Sequence, residues 1–249
     1  MYRTQLGPFP LNKGAGSAIA GACSDGGSGD TNACFPAGPH YSRGPPSGSN
    51  IVAKIKKSEQ LGNARETILD ASVRLFSEHG YNGTTMRDIA EAVGVLPGSL
   101  YAHIKGKEDI LADIVTSGIA EFLEIQETVE ASRAKPEEKL RHAIRLHIQV
   151  VAKSPERMLV VFHQWRFLSE PHRTEAVKMR QRYAKMFADI LAQQKCFEGR
   201  LKDPQIKIQC FTVLGSLNWT PEWYSPDGPY SPDELGEIIA DSVTQGLDF

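Results

Sequence analysis

Between Thr84 and Lys107 the chain reads TTMRDIAEAVGVLPGSLYAHIKGK, and no other stretch constrains the fold as much. Thr85 and Asp88 have the T-x-x-D spacing at which a hydroxyl and a carboxylate cap the first turn of a helix reciprocally. Ile89, Ala90 and Val93 then recur with helical period, and Ala90 is small enough for a neighbouring helix to cross closely. Gly94 supplies the left-handed conformation that ends such a helix. Val95 is expected to plug the junction. Pro97 suits the first position of a second short helix, where its missing N–H is not needed. Helix, glycine turn and helix at this spacing predict a helix-turn-helix, whose second helix enters the major groove of DNA by its N-terminal end.

That end is Leu96, Pro97, Gly98 and Ser99. Ser99 donates or accepts a hydrogen bond, Leu96 and Pro97 offer apolar contact to a thymine methyl, and Gly98 permits close backbone approach. Tyr101 and His103 extend from the same short helix, with Tyr101 placed to reach a phosphate. Lys107 opens the next helix, where a cation and unpaired N–H groups jointly attract phosphate. Thr84, Thr85 and Arg87 are further phosphate candidates at the front of the first helix of the pair. With so few polar atoms facing the bases, specificity is expected to rest on two copies held at a fixed distance.

Charge does not supply the binding. The net charge is -2 and the pI near 6.4, so a DNA contact has to use a local patch. Lys54, Lys56 and Lys57 precede the motif, either as a solvated flank or as a basic arm reaching DNA. Cys23, Cys34, Cys196 and Cys210 form no C-x-x-C pair, and no histidine completes a zinc spacing, so they read as buried or incidental thiols. No metal and no cofactor is expected. The sequence contains no H-E-x-x-H, G-x-S-x-G or phosphate-loop motif, and the expectation is that the chain is not an enzyme. His142, His147 and His163 read as satisfied or solvent-facing residues. No apolar run has the length of a membrane span and no secretory signal opens the chain, so a cytoplasmic protein without membrane contact is expected.

Residues 1–50 hold 10 glycines, 6 prolines and 6 serines, too little apolar surface to offset the entropy of ordering. Residues 1–57 are therefore expected to be a disordered leader, whether native, functional or an extended start. Helical patterns then run almost throughout: about 61–79, with Gly80 as a stop, and about 107–129, with Leu111, Ile114, Val115, Ile119, Phe122 and Leu123 on one stripe. Pro136, Pro155 and Pro171 mark helix starts. PERMLVVFHQWRFL, from Pro155 to Leu168, is apolar on nearly every side and reads as buried. The helix after Pro171 turns Tyr183, Phe187, Ile190 and Leu191 inward and is expected to end at Gly199. Another covers about 204–219. Ser231, Pro232 and Glu234 cap the last. With no alternating strand pattern, the fold class is all-α, about nine helices. The expected division is a three-helix DNA-binding domain over 58–108 and a helical ligand-binding and dimerisation domain over 109–249.

From Ala64 to Leu111 the chain resembles the DNA-binding domain of the TetR family of repressors, on ARETILDASVRLFSEHGYNGTTMRDIAEAVGV and GSLYAHIKGKEDIL. Ile104 stands where the family usually has phenylalanine, Gly106 where it often has serine, and Leu96 where a polar cap is frequent. The resemblance implies a homodimer on a palindromic operator, with a C-terminal domain that senses a small-molecule effector. The segment LGSLNWTPEWYSPDGPYSPDEL and VFHQWRFL further resemble the acyl-coenzyme A-responsive branch of that family. On that reading Leu159, Phe162, Phe187, Phe211 and Leu214 line an apolar slot, Trp219 or Trp223 covers the coenzyme, and Arg166 beside Trp165 pairs with a phosphate. Two alternatives stay open for these side chains. The tryptophans also suit a core or dimer interface, and Arg166 also suits an ion pair with Glu170. The competing function is a small-molecule or partner-binding helical protein whose helix-turn-helix is vestigial.

Overall fold

A computed structural model describes residues 60–197, 203–245, 247 and 249, with side chains from residue 64 onward. The leader and Lys54, Lys56 and Lys57 lie outside the described residues, as does Gly199. Among the described residues there are nine α-helices and no strand. They are α1 Gln60–Gly83, α2 Met86–Val93, α3 Pro97–Leu100, α4 Lys107–Ala131, α5 Pro136–Lys153, α6 Pro155–His163, α7 His172–Leu191, α8 Pro204–Trp219 and α9 Pro232–Thr244. Short 3-10 turns follow α6 (Trp165–Phe167), α7 (Lys195–Phe197) and α8 (Thr220–Glu222).

Local chemistry accounts for most of the boundaries. Thr85 and Ser231 cap α2 and α9 reciprocally with Asp88 and Glu234, and Asp203 caps α8 through Gln205 N. Gly80 breaks α1 at φ 74, ψ 161, so the expected stop sits inside the assigned span and three more residues turn after it. α7 departs from expectation. It ends at Leu191, because Gln193 and Gln194 N–H bond back to Ile190 and Leu191 in tighter turns.

α1 meets α4 and α2, and α2 meets α3, with Ile68, Phe76, Ile89, Ala90, Leu100 and Ile104 all nearly inaccessible. Ile104 thus fills its place as an apolar residue. α4 continues without interruption into the C-terminal helices, so the boundary expected at 108/109 falls within its first turn. There α4 meets α5, α6 and α7, α7 meets α8, and α5 lies along α9. Arg141 joins Glu237 at 2.8 Å and Asp241 at 2.7 Å across the α5–α9 contact, and Arg145 joins Glu237 at 2.6 Å. No helix among the described residues is long and apolar enough to cross a membrane.

Candidate functional site

The helix pair forms as the spacing predicts. Thr85 Oγ1 accepts from Asp88 N at 3.2 Å while Asp88 Oδ2 accepts from Thr85 N at 2.8 Å, and the backbone and then the hydroxyl of Thr85, bonding to the carboxylate, hold it below its usual range. Gly94 closes α2 at φ 78, ψ 31, with Val95 N donating to Ala90 O. Leu96 precedes α3 in extended conformation and makes no side-chain cap. α3 itself is a single turn, anchored by buried Leu100, and Tyr101, Ala102 and His103 continue the coil without joining the helix. Leu96 is 76% exposed and Tyr101 57%, and Pro97, Gly98 and Ser99 are exposed beside them. Val95 is a correction: it is 40% exposed rather than plugging the junction, while Leu100 is the residue buried there in α3.

The structure divides the expected phosphate contacts. Thr85, Arg87 and Tyr101 are exposed and His103 half-buried, all on the α2–α3 unit. Thr84 and Lys107 are turned inward. Thr84 is nearly inaccessible, and its hydroxyl donates to Gly80 O at 3.0 Å or Leu75 O at 3.2 Å. Lys107 Nζ donates to Tyr81 O at 2.7 Å and Thr84 O at 2.8 Å, and lies 4.1 Å above the Tyr81 ring. Burial lowers its pKa. Thr84 therefore closes the end of α1 on itself and Lys107 ties that end to the start of α4, and the direct phosphate contact expected of them is withdrawn. Arg65 adds a tie that local spacing does not reveal: it donates to His103 O at 2.9 Å and pairs with Asp113.

In the C-terminal helices the expected ligand residues fall into two groups. Phe162 and Phe187 are buried at opposite ends of one aromatic cluster, linked through Phe122 and Tyr183 by centroid separations of 5.4–5.6 Å. Phe211, Trp219 and Trp223 instead face outward, at 38%, 58% and 53% exposure. A single slot lined by Leu159, Phe162, Phe187, Phe211 and Leu214 is not formed, because Phe211 is exposed while Phe162 and Phe187 are buried. Leu159 and Leu214 are half-buried. Trp165 is half-buried under Arg180, 5.1 Å from its guanidinium. Arg166 is exposed, and its Nε donates to His163 O at 2.6 Å. The ion pair with Glu170 is not formed: Glu170 accepts from Thr174 instead.

The histidines are also not all satisfied. His142 is exposed as expected. His147 is buried at 4.6 Å from Phe122, with Nδ1 3.2 Å from Tyr183 Oη, but Nε2 has no hydrogen-bond partner among the described residues. Burial pushes its pKa down to about 3. His163 Nε2 lies 3.1 Å from Glu222 Oε1 without forming a hydrogen bond. No group of three or more metal-ligating side chains occurs among the described residues.

With this geometry in place, two family profiles divide the chain at α4. Residues 68–114 match the profile described as bacterial regulatory proteins, tetR family. Residues 133–247 match the profile described as tetracyclin repressor-like, C-terminal domain. The chain belongs to the TetR family of transcriptional regulators. It is similar to the HTH-type transcriptional repressor KstR2 of Mycolicibacterium smegmatis, 25% identical over 193 residues, which covers 75% of this chain and 93% of the relative. Its fold resembles a TetR-family transcriptional regulator from Bordetella parapertussis, with TM-score 0.69 and 26% identity over 74% of this chain and 95% of that one. It also resembles AibR, solved in complex with isovaleryl coenzyme A and operator DNA, with TM-score 0.62 and 26% identity over 72% of this chain and 96% of that one. As a TetR-family protein the chain is a DNA-binding regulator and not an enzyme.

Proposed function

We propose that this regulator is a homodimeric repressor that holds a palindromic operator and releases it when an acyl-coenzyme A binds its C-terminal helices. The observation that carries the DNA half is the exposed tip of the helix-turn-helix. Leu96, Pro97, Gly98 and Ser99 project from a turn whose core is otherwise sealed. Leu96 and Pro97 touch a thymine methyl, Ser99 reads a base edge, and Thr85, Arg87, Tyr101 and His103 hold phosphates. Thr85 is exposed at the front of α2, with its Oγ1 accepting from Asp88 N.

Dimerisation explains the outward aromatic residues. Ile208, Phe211 and Trp219 form one exposed stripe along α8 at helical spacing, and Ile238 is exposed on α9. Paired with the same helices of a second copy, α8 and α9 make a four-helix bundle that covers this stripe. Two recognition helices then lie about 34 Å apart, one turn of DNA. An effector that favours another spacing releases the operator by population shift. The acyl-coenzyme A assignment is supported by the likeness to AibR, whose complex holds isovaleryl coenzyme A.

The test is a mobility-shift assay on DNA upstream of the chain's own gene, at stated salt because phosphate contacts weaken steeply with it. A retarded band that collapses on adding a coenzyme A ester is the expected result. No band at low salt with folded dimer present rejects the DNA assignment. Stabilisation by free acids or other hydrophobes, with none by any coenzyme A ester, rejects the effector assignment.

A further inference from the structure

Arg180 stands on the wrong side of α7. With Ala176, Tyr183 and Phe187 it occupies the inward seam, where each of the other three is buried. Its Nε is sealed from solvent and has no hydrogen-bond partner among the described residues. The guanidinium contacts the face of Trp165 and forms no ion pair with a carboxylate among the described residues. Arg180 is half-buried as a whole, and a partly desolvated cation is costly unless paired and hydrogen-bonded; an aromatic face recovers only part of the loss. Burial draws its pKa down to about 10, which leaves it charged at neutral pH.

The surroundings are those of a receptor for an oxyanion on an apolar chain. His163 Nε2 is buried and lacks a hydrogen bond, although Glu222 Oε1 lies 3.1 Å away, and Arg166 stands exposed at the outer edge. Behind Arg180, one helical turn along α7, Tyr183 opens the aromatic cluster of Phe122, Phe162 and Phe187. Two further buried atoms without partners border that cluster, His147 Nε2 and Gln126 Oε1, the latter one turn along α4 from Phe122. All four orphaned polar atoms thus belong to α4, α5, α6 and α7, the helices that enclose the cluster. Buried polar groups are nearly always satisfied, so a concentration of exceptions marks a place where a partner is missing.

We infer that Arg180, backed by Trp165 and His163, is the anchor for the anionic end of an amphipathic effector whose apolar chain enters the Phe122–Phe162–Tyr183–Phe187 cluster. This rests on the reading that the C-terminal helices bind a small molecule, but not on which one. A carboxylate and a coenzyme A phosphate share the chemistry that Arg180 selects, and a bidentate oxyanion satisfies the guanidinium edge. It also replaces Arg166 as the main anion contact, since Arg166 Nε is already donated to His163 O.

The experiment compares the full chain with Arg180→Met, of similar length and no charge. Probes are short-, medium- and long-chain saturated acids, their coenzyme A esters and their neutral methyl esters, read by thermal shift and by release of operator DNA. Wild type is expected to respond to an anionic probe and not to the matched methyl ester. Arg180→Met is expected to bind DNA as wild type does and to lose about tenfold or more in affinity for that probe. An unchanged response in Arg180→Met overturns the anchor while leaving the acyl-coenzyme A reading intact. A response to free acids alone that Arg180→Met abolishes rejects the coenzyme A ester and keeps the anchor. Equal response to acid and methyl ester, or to no anionic probe, overturns the anchor from wild type alone, so the decision stands even if the variant fails to fold.

Discussion

Thr84 and Lys107 show what a residue type conveys and what it withholds. Threonine and lysine beside a helix-turn-helix suggest phosphate, yet here both bond to carbonyls that the turn at Gly80 leaves exposed. That use depends on where the turn brings Tyr81 and Thr84, which is not written in spacing. Lys107→Met is expected to lower the melting temperature of the DNA-free protein, a loss of about 1–3 kcal/mol. The slope of log affinity against log salt should not change. A slope reduced by about one would show that Lys107 neutralises a phosphate after all. His147 offers a second test. Its folded-state pKa lies far below the value of about 6.5 expected of an unfolded histidine, so both states are neutral above that pH and nothing is lost. Below it the unfolded chain takes up a proton that the folded chain refuses, and stability falls by up to about 1.4 kcal/mol per pH unit until pH nears 3. His147→Gln cannot titrate, and it is expected to lose less stability than wild type between neutral pH and about pH 5 in thermal melts.

Among the elements, those with local causes were legible in advance. The α2 and α9 capping boxes, the glycine turn and the proline-led starts of α5 and α6 follow from neighbours in sequence, and the all-α class with them, whereas Pro171 caps α7 instead of lying in its first turn. The single turn of α3 and the outward face of α8 depend on tertiary packing, and α7 ends early in the local turns of Gln193 and Gln194; there expectation and structure part. α4 and α6 show why packing is decisive. A Cβ built at Gly118 would lie 2.5 Å from Val161 Cγ2, and Val161 is wholly buried with little room to move. These two helices cross where one of them has no side chain. Gly118→Ala is expected to destabilise the protein by about 1–3 kcal/mol, read by chemical denaturation, despite alanine's better helix propensity. Val161→Ala in the same chain should recover part of the loss, and strictly additive effects would show that the contact is not the cause.

Across the molecule, the turn at Trp165–Phe167 touches both ends of the working chain. Trp165 lies against Arg180, while Phe167 stacks on Tyr81 at 5.7 Å. Gln164 accepts from Tyr81 N at 3.2 Å, and Glu108 in the first turn of α4 accepts from Ser169 N at 2.8 Å. Tyr81 in turn supports Lys107 and the end of α1. A shift of this turn therefore reaches the helix-turn-helix through direct contacts. Phe167→Ala is expected to leave effector affinity and operator affinity, each measured alone, close to wild type. Their mutual antagonism should weaken by about 0.5–2 kcal/mol, read by titrating effector into the protein–DNA complex. Undiminished antagonism would move the coupling elsewhere. None of these contacts was foreseeable from spacing, since Tyr81 and Gln164 stand 83 positions apart and Glu108 and Ser169 stand 61 apart. The unpaired guanidinium of Arg180 bears on how such a protein evolves. Exchanging an unpaired, half-buried cation for an apolar residue is a ready route to a sturdier fold. Variants enriched by heat should therefore include losses of Arg180, and they should be regulators that grip DNA and no longer hear their signal. Inducibility and heat resistance would then be opposed at one side chain.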